Sequence, residues 1–234
     1  MLLLAVDTAT PAVTVALHDG SSVVAETTRV DARRHGELLL PLIDSTLREA
    51  GLKLDAVTGL VVGVGPGPYT GLRVGLATAE TFAFALGVPV HGLCTLDALA
   101  YAAGAGTPGT GPGTGPGAGG GIEGPFAVAT DARRKEVYWA RYDDARTRTT
   151  EPAVDRPAEI AEQLAGLPVA GAGALLYPEA FPDARGPEHV SAAALASLAA
   201  EKLAAGTEFL PPLPLYLRRP DAQVPKNYKV VTPK

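Results

Sequence analysis

The chain has 234 residues, 47% of them hydrophobic and 19% charged, with a formal net charge of −5. That length allows one large core or two small ones, and the acidic balance excludes a protein that grips nucleic acid by itself, because backbone binding is mainly phosphate neutralisation by Lys and Arg. No apolar run approaches a membrane span, Leu2–Val6 is too short for a signal peptide, and the lone Cys94 permits no internal disulfide, so a cytoplasmic setting is expected.

In chain order, Leu2–Thr8 reads as a buried strand ending at Asp7, and Ala12–Leu17 alternates as a second. Asp19-Gly20 marks a tight turn before a third strand, Val23–Val30. A helix is predicted over His35–Ala50, closed by Gly51, then a short strand over Gly59–Val64. The loop Gly65-Pro66-Gly67-Pro68 opens into a helix over Thr70–Leu86, ended by Gly87, with Thr70 as its expected N-cap. Pro89–Leu93 is a fifth strand, and Thr95 is expected to cap a helix reaching Ala103. Three strands followed by alternating helices and strands predict a mixed α/β sheet of ribonuclease H-like arrangement.

The segment 104–125 is nearly all Gly, Pro, Thr and Ala and reads as a flexible linker between subdomains at 1–103 and 126–234. The pattern then restarts with strands at Phe126–Asp131, Glu136–Tyr142 and Thr149–Val154. A helix over Ala158–Leu167, a short strand over Val169–Ala172 and a helix over Ser191–Ala205 follow. The second half thus repeats the opening of the first and is shortened. Asp7 and Asp131 hold equivalent places, which predicts two related subdomains facing a cleft. The last helix is allowed to pack back on the first subdomain.

A strand running through a glycine-rich loop into a helix is the outline of a phosphate site. Here Pro66 and Pro68 offer no N–H, and no Gly-Lys-Ser/Thr follows. Asp7 and Thr8 therefore have two readings: remnants of a nucleotide site that would also take in Thr70, Asp131 and Arg133, or groups that satisfy turn amides. Asp131 and Arg133, with Arg134 and Lys135, form either an anion site or a solvated hairpin tip. Arg73 sits in the first turn of its helix, where the dipole disfavours a cation, so it is expected to pair with a carboxylate on this chain or a partner. The four histidines fall on different elements and give no metal-ligand spacing and no catalytic set with Cys94 or a serine.

Two helices are too apolar for one buried stripe. The first carries Leu38, Leu39, Leu40, Leu42, Ile43 and Leu47, and the second a small-residue stripe of Gly71, Gly75, Ala79 and Ala83. Each alone is explained by an internal core, but together they favour a helical interface. Leu38, Leu39, Leu42, Gly71, Arg73, Gly75 and Ala79 are the residues expected there.

Leu4–Thr10, His35–Asp44, the loop Gly65-Pro66-Gly67-Pro68-Tyr69-Thr70-Gly71-Leu72-Arg73, Asp131–Tyr138 and Pro214–Arg218 together resemble the TsaB (YeaZ) family over nearly the whole chain outside 104–125. The resemblance implies a two-lobed sugar kinase/actin-like (ASKHA) fold. It also implies a non-catalytic accessory role in bacterial tRNA threonylcarbamoyladenosine (t6A37) synthesis, pairing through N-lobe helices with a TsaD-like transferase. A TsaE-like ATPase would join, a homodimer is allowed for the chain alone, and tRNA would be met only through the complex. TsaD-like sequences bind the catalytic metal through a His-x-x-x-His pair, and Thr95 and Leu99 stand at the matching positions. No cofactor is therefore expected on this chain, with ATP and metal on the partners. The alternatives are an independent nucleotide-dependent enzyme using Asp7, Asp131 and the glycine loop, and a peptidase.

Overall fold

The computed structural model describes residues 1–105 and 121–218. The first sheet comprises β1 (Leu3–Asp7), β2 (Ala12–His18), β3 (Val23–Val30), β4 (Gly59–Gly63) and β5 (Val90–Leu93), in the order β3-β2-β1-β4-β5. β1 pairs antiparallel with β2 and parallel with β4. Every residue of β1 is buried, because both faces of the sheet are covered. Leu4 and Val6 face α1 (His35–Glu49) and α2 (Tyr69–Leu86), whereas Leu3 and Ala5 face α3 (Thr95–Ala105) and α6 (Ala192–Ala205). The two-residue period of the strand sorts its side chains into the two cores.

The second sheet has the same topology. β6 (Phe126–Asp131), β7 (Val137–Tyr142), β8 (Ala153–Asp155), β9 (Val169–Ala170) and β10 (Ala184–Arg185) run in the order β8-β7-β6-β9-β10. The shortening is in length, not in strand number: β9 and β10 have two residues each, and α4 (Pro157–Ile160) and α5 (Ala172–Leu176) have four and five. Two such lobes form the sugar kinase/actin-like architecture.

α3 is shared between the lobes. Its Ala98, Tyr101 and Ala102 pack toward the first sheet and α6, and Leu96, Leu99, Ala100 and Ala103 pack on Phe126, Val128, Ala140 and Tyr142 of the second. Polar ties reinforce the junction. Tyr142 Oη donates to Asp97 Oδ1 at 2.8 Å, and Arg148 donates to both Asp97 oxygens. Arg146 reaches both oxygens of Glu201 on α6.

Most predicted elements are present within two residues, with four differences. α3 continues past Ala103 through Gly104 because a glycine fits against Ala145, whose Cβ would lie 2.5 Å from an added Cβ. Ile122 also donates to the Ala103 carbonyl, so both ends of the expected linker are built into the fold, and 106–120 lies outside the described residues. The predicted strand at Thr149–Val154 forms only over Ala153–Asp155, and the predicted helix at Ala158–Leu167 only over Pro157–Ile160. α5 and β10 are too short to leave a periodic signal. The final helix packs across β1 and β2, with Ser191 capping it. No helix among the described residues is long and apolar enough to cross a membrane.

Candidate functional site

The carboxyl end of β1 meets the glycine loop and the start of α2, the side of an open α/β sheet on which ligands are commonly held. Here the chain fills the place itself. A Cβ on Gly67 would lie 2.1 Å from the Ala9 carbonyl oxygen, so the loop rests directly on the β1–β2 turn. A Cβ on Gly71 would meet the Thr8 carbonyl at 2.7 Å, and one on Gly75 the Thr8 hydroxyl at 2.6 Å. Thr8 Oγ1 donates to the Gly71 carbonyl at 2.7 Å and accepts from the Gly75 N–H at 2.9 Å. The small-residue stripe therefore admits the chain's own turn. This corrects the expectation that Gly71, Gly75 and Ala79 offer themselves to a foreign helix, since all three are buried inside the first lobe.

Asp7 is fully buried. Its Oδ1 accepts from the Ala9 N–H at 2.8 Å and its Oδ2 from the Thr95 hydroxyl at 2.8 Å. Burial pushes its pKa up to about 6, opposed by those two donors and by His35. His35 Nε2 donates to the Thr10 carbonyl at 2.8 Å, tying α1 to the same turn. Thr95 does not cap its own helix. Its hydroxyl accepts from the Gly65 N–H at 3.2 Å while donating to Asp7, and its N–H donates to the Gly65 carbonyl. Thr95 is the residue that sequence reasoning missed here, because a threonine before a helix has the same signature whether it caps or reaches elsewhere. Thr70 is not an N-cap either. α2 starts at Tyr69 after Pro68, with no side-chain cap, and Thr70 is exposed.

The equivalent turn of the second lobe is built differently. Asp131 Oδ1 accepts from the Arg133 N–H at 2.7 Å, and the Arg133 guanidinium lies 3.1 Å from Oδ2. Arg133, Arg134 and Lys135 all have left-handed backbones, with φ of 62°, 58° and 62°. Each such non-glycine residue costs about 1–2 kcal/mol, so neighbouring groups must hold the hairpin. Arg218 supplies them: it donates to the Ala132 carbonyl at 2.7 Å and to the Arg133 carbonyl at 3.4 Å, and pairs with Glu136. Asp7 and Thr8 thus cluster with the glycine loop, whereas Asp131 and Arg133 form a separate turn.

Between the two turns runs the segment after α6. Leu210 and Gly92 exchange backbone hydrogen bonds at 3.1 Å in both directions, and the Leu215 N–H donates to the Val64 carbonyl at 2.8 Å. Leu215 packs against cores of both lobes. Tyr216 stacks on Tyr69, with ring centroids 5.2 Å apart, and its hydroxyl accepts from Arg73 Nε at 3.0 Å. The Arg73 guanidinium lies 4.1 Å from the centre of the Tyr69 ring. Of the carboxylate expected for Arg73 on this chain or a partner, the described residues of this chain offer none: two tyrosines hold the guanidinium, a cation–π contact serving where the helix dipole is unfavourable.

The outer face of the first lobe differs from the expected set as well. Leu39 and Leu42 are core residues against the sheet, and Leu38 is half-buried beside them. Their burial removes Leu39 and Leu42 from any contact surface, because α1 turns that stripe inward. Leu40 stands outside among the polar and charged residues of α1, and α2 exposes Tyr69, Thr70, Arg73, Ala77, Glu80, Thr81, Phe84 and Ala85. Arg73 and Glu80 are the only charged residues of α2, and Phe84 is 91% exposed. Leu40, Tyr69 and Phe84 are the large apolar side chains that these two helices leave exposed. Among the described residues no three His, Cys, Asp or Glu side chains group closely enough to hold a metal ion.

A family model described as TsaD, tRNA N6-adenosine threonylcarbamoyltransferase, matches residues 22–208. An uncharacterized protein of Mycobacterium tuberculosis is 43% identical over 226 residues, covering 94% of this chain and 93% of its own length. The Escherichia coli tRNA threonylcarbamoyladenosine biosynthesis protein TsaB is 34% identical over 142 residues, 61% of this chain and 55% of that protein. The solved structure of YeaZ from Pseudomonas aeruginosa superposes with a TM-score of 0.74 at 31% identity, covering 92% of this chain and 99% of that one.

Proposed function

The chain belongs to the TsaB (YeaZ) family, and from that premise we propose that it is a non-catalytic subunit of tRNA threonylcarbamoyladenosine synthesis that binds and activates a TsaD-like transferase. The observation that carries this reading is the contrast between the filled ligand place and the exposed helix. Gly67 rests on Ala9 and both Asp7 oxygens are taken, while Phe84 and its neighbours on α2 stand open. Thr95 and Leu99, at the positions of the expected histidine pair, are buried, the first bonded to Asp7 and the second packed on the second sheet. Leucine has no ligand atom to offer a metal.

On this reading the transferase supplies the metal and a TsaE-like ATPase the nucleotide. The tRNA meets the chain only within the complex, and the setting is cytoplasmic. The α2 outer face is the partner surface, replacing the buried residues first assigned to it. In the absence of the transferase the same face is available to a second copy.

The test is reconstitution with the transferase and the ATPase, omitting each in turn from a tRNA modification assay. Modification should require this chain, and the chain alone should modify nothing. Full modification without it, or micromolar ATP binding by the isolated chain that is lost in Asp7→Ala, would overturn the proposal and favour an independent nucleotide-dependent enzyme.

A further inference from the structure

Residues 210–218 leave α6 and change lobes as they go. Leu210 adds to the edge of β5, and Pro212, Leu213 and Pro214 line a groove with Arg73, Leu76, Ala77 and Glu80 on α2. Leu215 is anchored to Val64, Tyr216 is stacked on Tyr69 and bonded to Arg73, and Arg218 is fixed to the β6–β7 hairpin. Leu210 to Pro214 and Tyr216 contact the first lobe, Leu215 packs against both, and Arg218 bonds the second.

Two of these residues are mechanically linked. Tyr216 and Arg218 are two positions apart, so their Cα atoms are separated by about 7 Å at most. Leu215 is pinned on one side by the Val64 carbonyl and by packing in both lobes. On the other side Arg218 grips the Ala132 and Arg133 carbonyls, Glu136 and, 5.8 Å away, the Tyr138 ring. So short a span, tethered at both ends, has little slack. The hairpin it holds is the strained one, with three consecutive left-handed residues, a conformation that persists only where surrounding structure fixes it.

We propose that residues 210–218 are a latch through which the second lobe sets the outer face of α2. Arg218 is its anchor on the strained hairpin, and Tyr216 is the positioning residue that holds Tyr69 and Arg73 flat against the first turn of the helix. The inference rests on the assignment of that face to the partner, and it names what controls the face: the angle between the lobes. A movement of the β6–β7 hairpin away from the first lobe pulls Arg218, draws Tyr216 from its stack and releases Arg73. On this account the chain's own segment holds the two acid-bearing turns at a fixed separation.

The experiment is hydrogen exchange on the full chain, read by peptide, with partner affinity as a second readout. Arg218→Ala should speed exchange several-fold in peptides covering 131–137 and also in those covering 69–76, which lie in the other lobe. Faster exchange confined to 131–137 would overturn the latch. Should Arg218→Ala unfold the second lobe, Tyr216→Phe decides the matter, since it removes only the hydroxyl that Arg73 bonds. It should speed exchange at 69–76, leave 131–137 unchanged, and weaken binding of the TsaD-like protein three- to tenfold. Unchanged exchange at 69–76 in that variant would overturn the proposal. Failure of the wild-type chain to bind the TsaD-like protein would overturn the assignment of the face, and the exchange data would still decide whether the latch exists.

Discussion

The turns that follow β1 and β6 occupy the same place in two lobes of the same topology, and each begins with an aspartate. Asp7 is buried, bonded to Ala9 and Thr95, and surrounded by glycines whose missing side chains let the turn press against α2. Asp131 is part-buried, paired with the exposed guanidinium beside it, and its turn is strained and held from outside by Arg218. One turn has become a packing hub and the other a point of attachment. A shared fold position fixes where a residue sits, while the neighbouring residues decide its chemistry.

The sharpest way to break this contrast is to add a side chain at the hub. Gly67→Ala places a Cβ against the Ala9 backbone, which cannot retreat without moving β1. It should cost about 3 kcal/mol in denaturant unfolding, the upper part of the usual range for overpacking. A loss near zero would mean that the loop is free to move. Next comes the paired truncation of the two acids. Asp7→Ala leaves the Ala9 N–H buried without a partner and the Thr95 hydroxyl without an acceptor, at about 2 kcal/mol, whereas Asp131→Ala, whose partner Arg133 reaches solvent, should cost less than about 1 kcal/mol. Equal losses would erase the distinction between the turns.

A smaller effect sharpens it further through pH. Burial raises the Asp7 pKa to about 6 in the folded state. Between about pH 4 and 6 the folded chain then holds more protons on this group than the unfolded chain does. Its contribution is therefore most favourable below the unfolded pKa, falls as pH rises to about 6, and is flat above that. Asp7→Asn should remove this slope, so that the variant gains on the wild type by on the order of 2 kcal/mol between pH 4 and 7. Unfolding free energies measured across that interval decide it.

Much of the frame was legible in the sequence because local chemistry and tertiary packing agree there. Asp19-Gly20 turns β2 into β3, Gly51 and Gly87 end α1 and α2 with left-handed backbones, and the run Leu3–Asp7 is buried on both faces. The site was less legible. A stripe of Gly71, Gly75 and Ala79 has the same spacing whether it admits a foreign helix or the chain's own Thr8. Leu39, Leu40 and Leu42 are alike in composition, and only the rotation of α1 on its sheet decides that Leu40 is outside. Thr95 and Arg218 act on groups 88 and 86 residues away, Asp7 and Ala132, a separation over which no periodicity speaks. Even so, Pro214–Arg218 stood among the stretches that carry the family resemblance, and it is the segment that spans the lobes.

The central claim is that the chain works through the outside of α2 and not through the acid-bearing hub. One reconstituted tRNA modification assay compares the two directly, with Phe84→Glu and Asp7→Asn each replacing the wild-type chain beside the TsaD-like and TsaE-like proteins. The account predicts that Phe84→Glu lowers modification by more than about 100-fold, the scale of a lost interface hot spot, and that adding excess chain restores part of it, while Asp7→Asn stays within about twofold of wild type. Full modification with Phe84→Glu together with none from folded Asp7→Asn would contradict it.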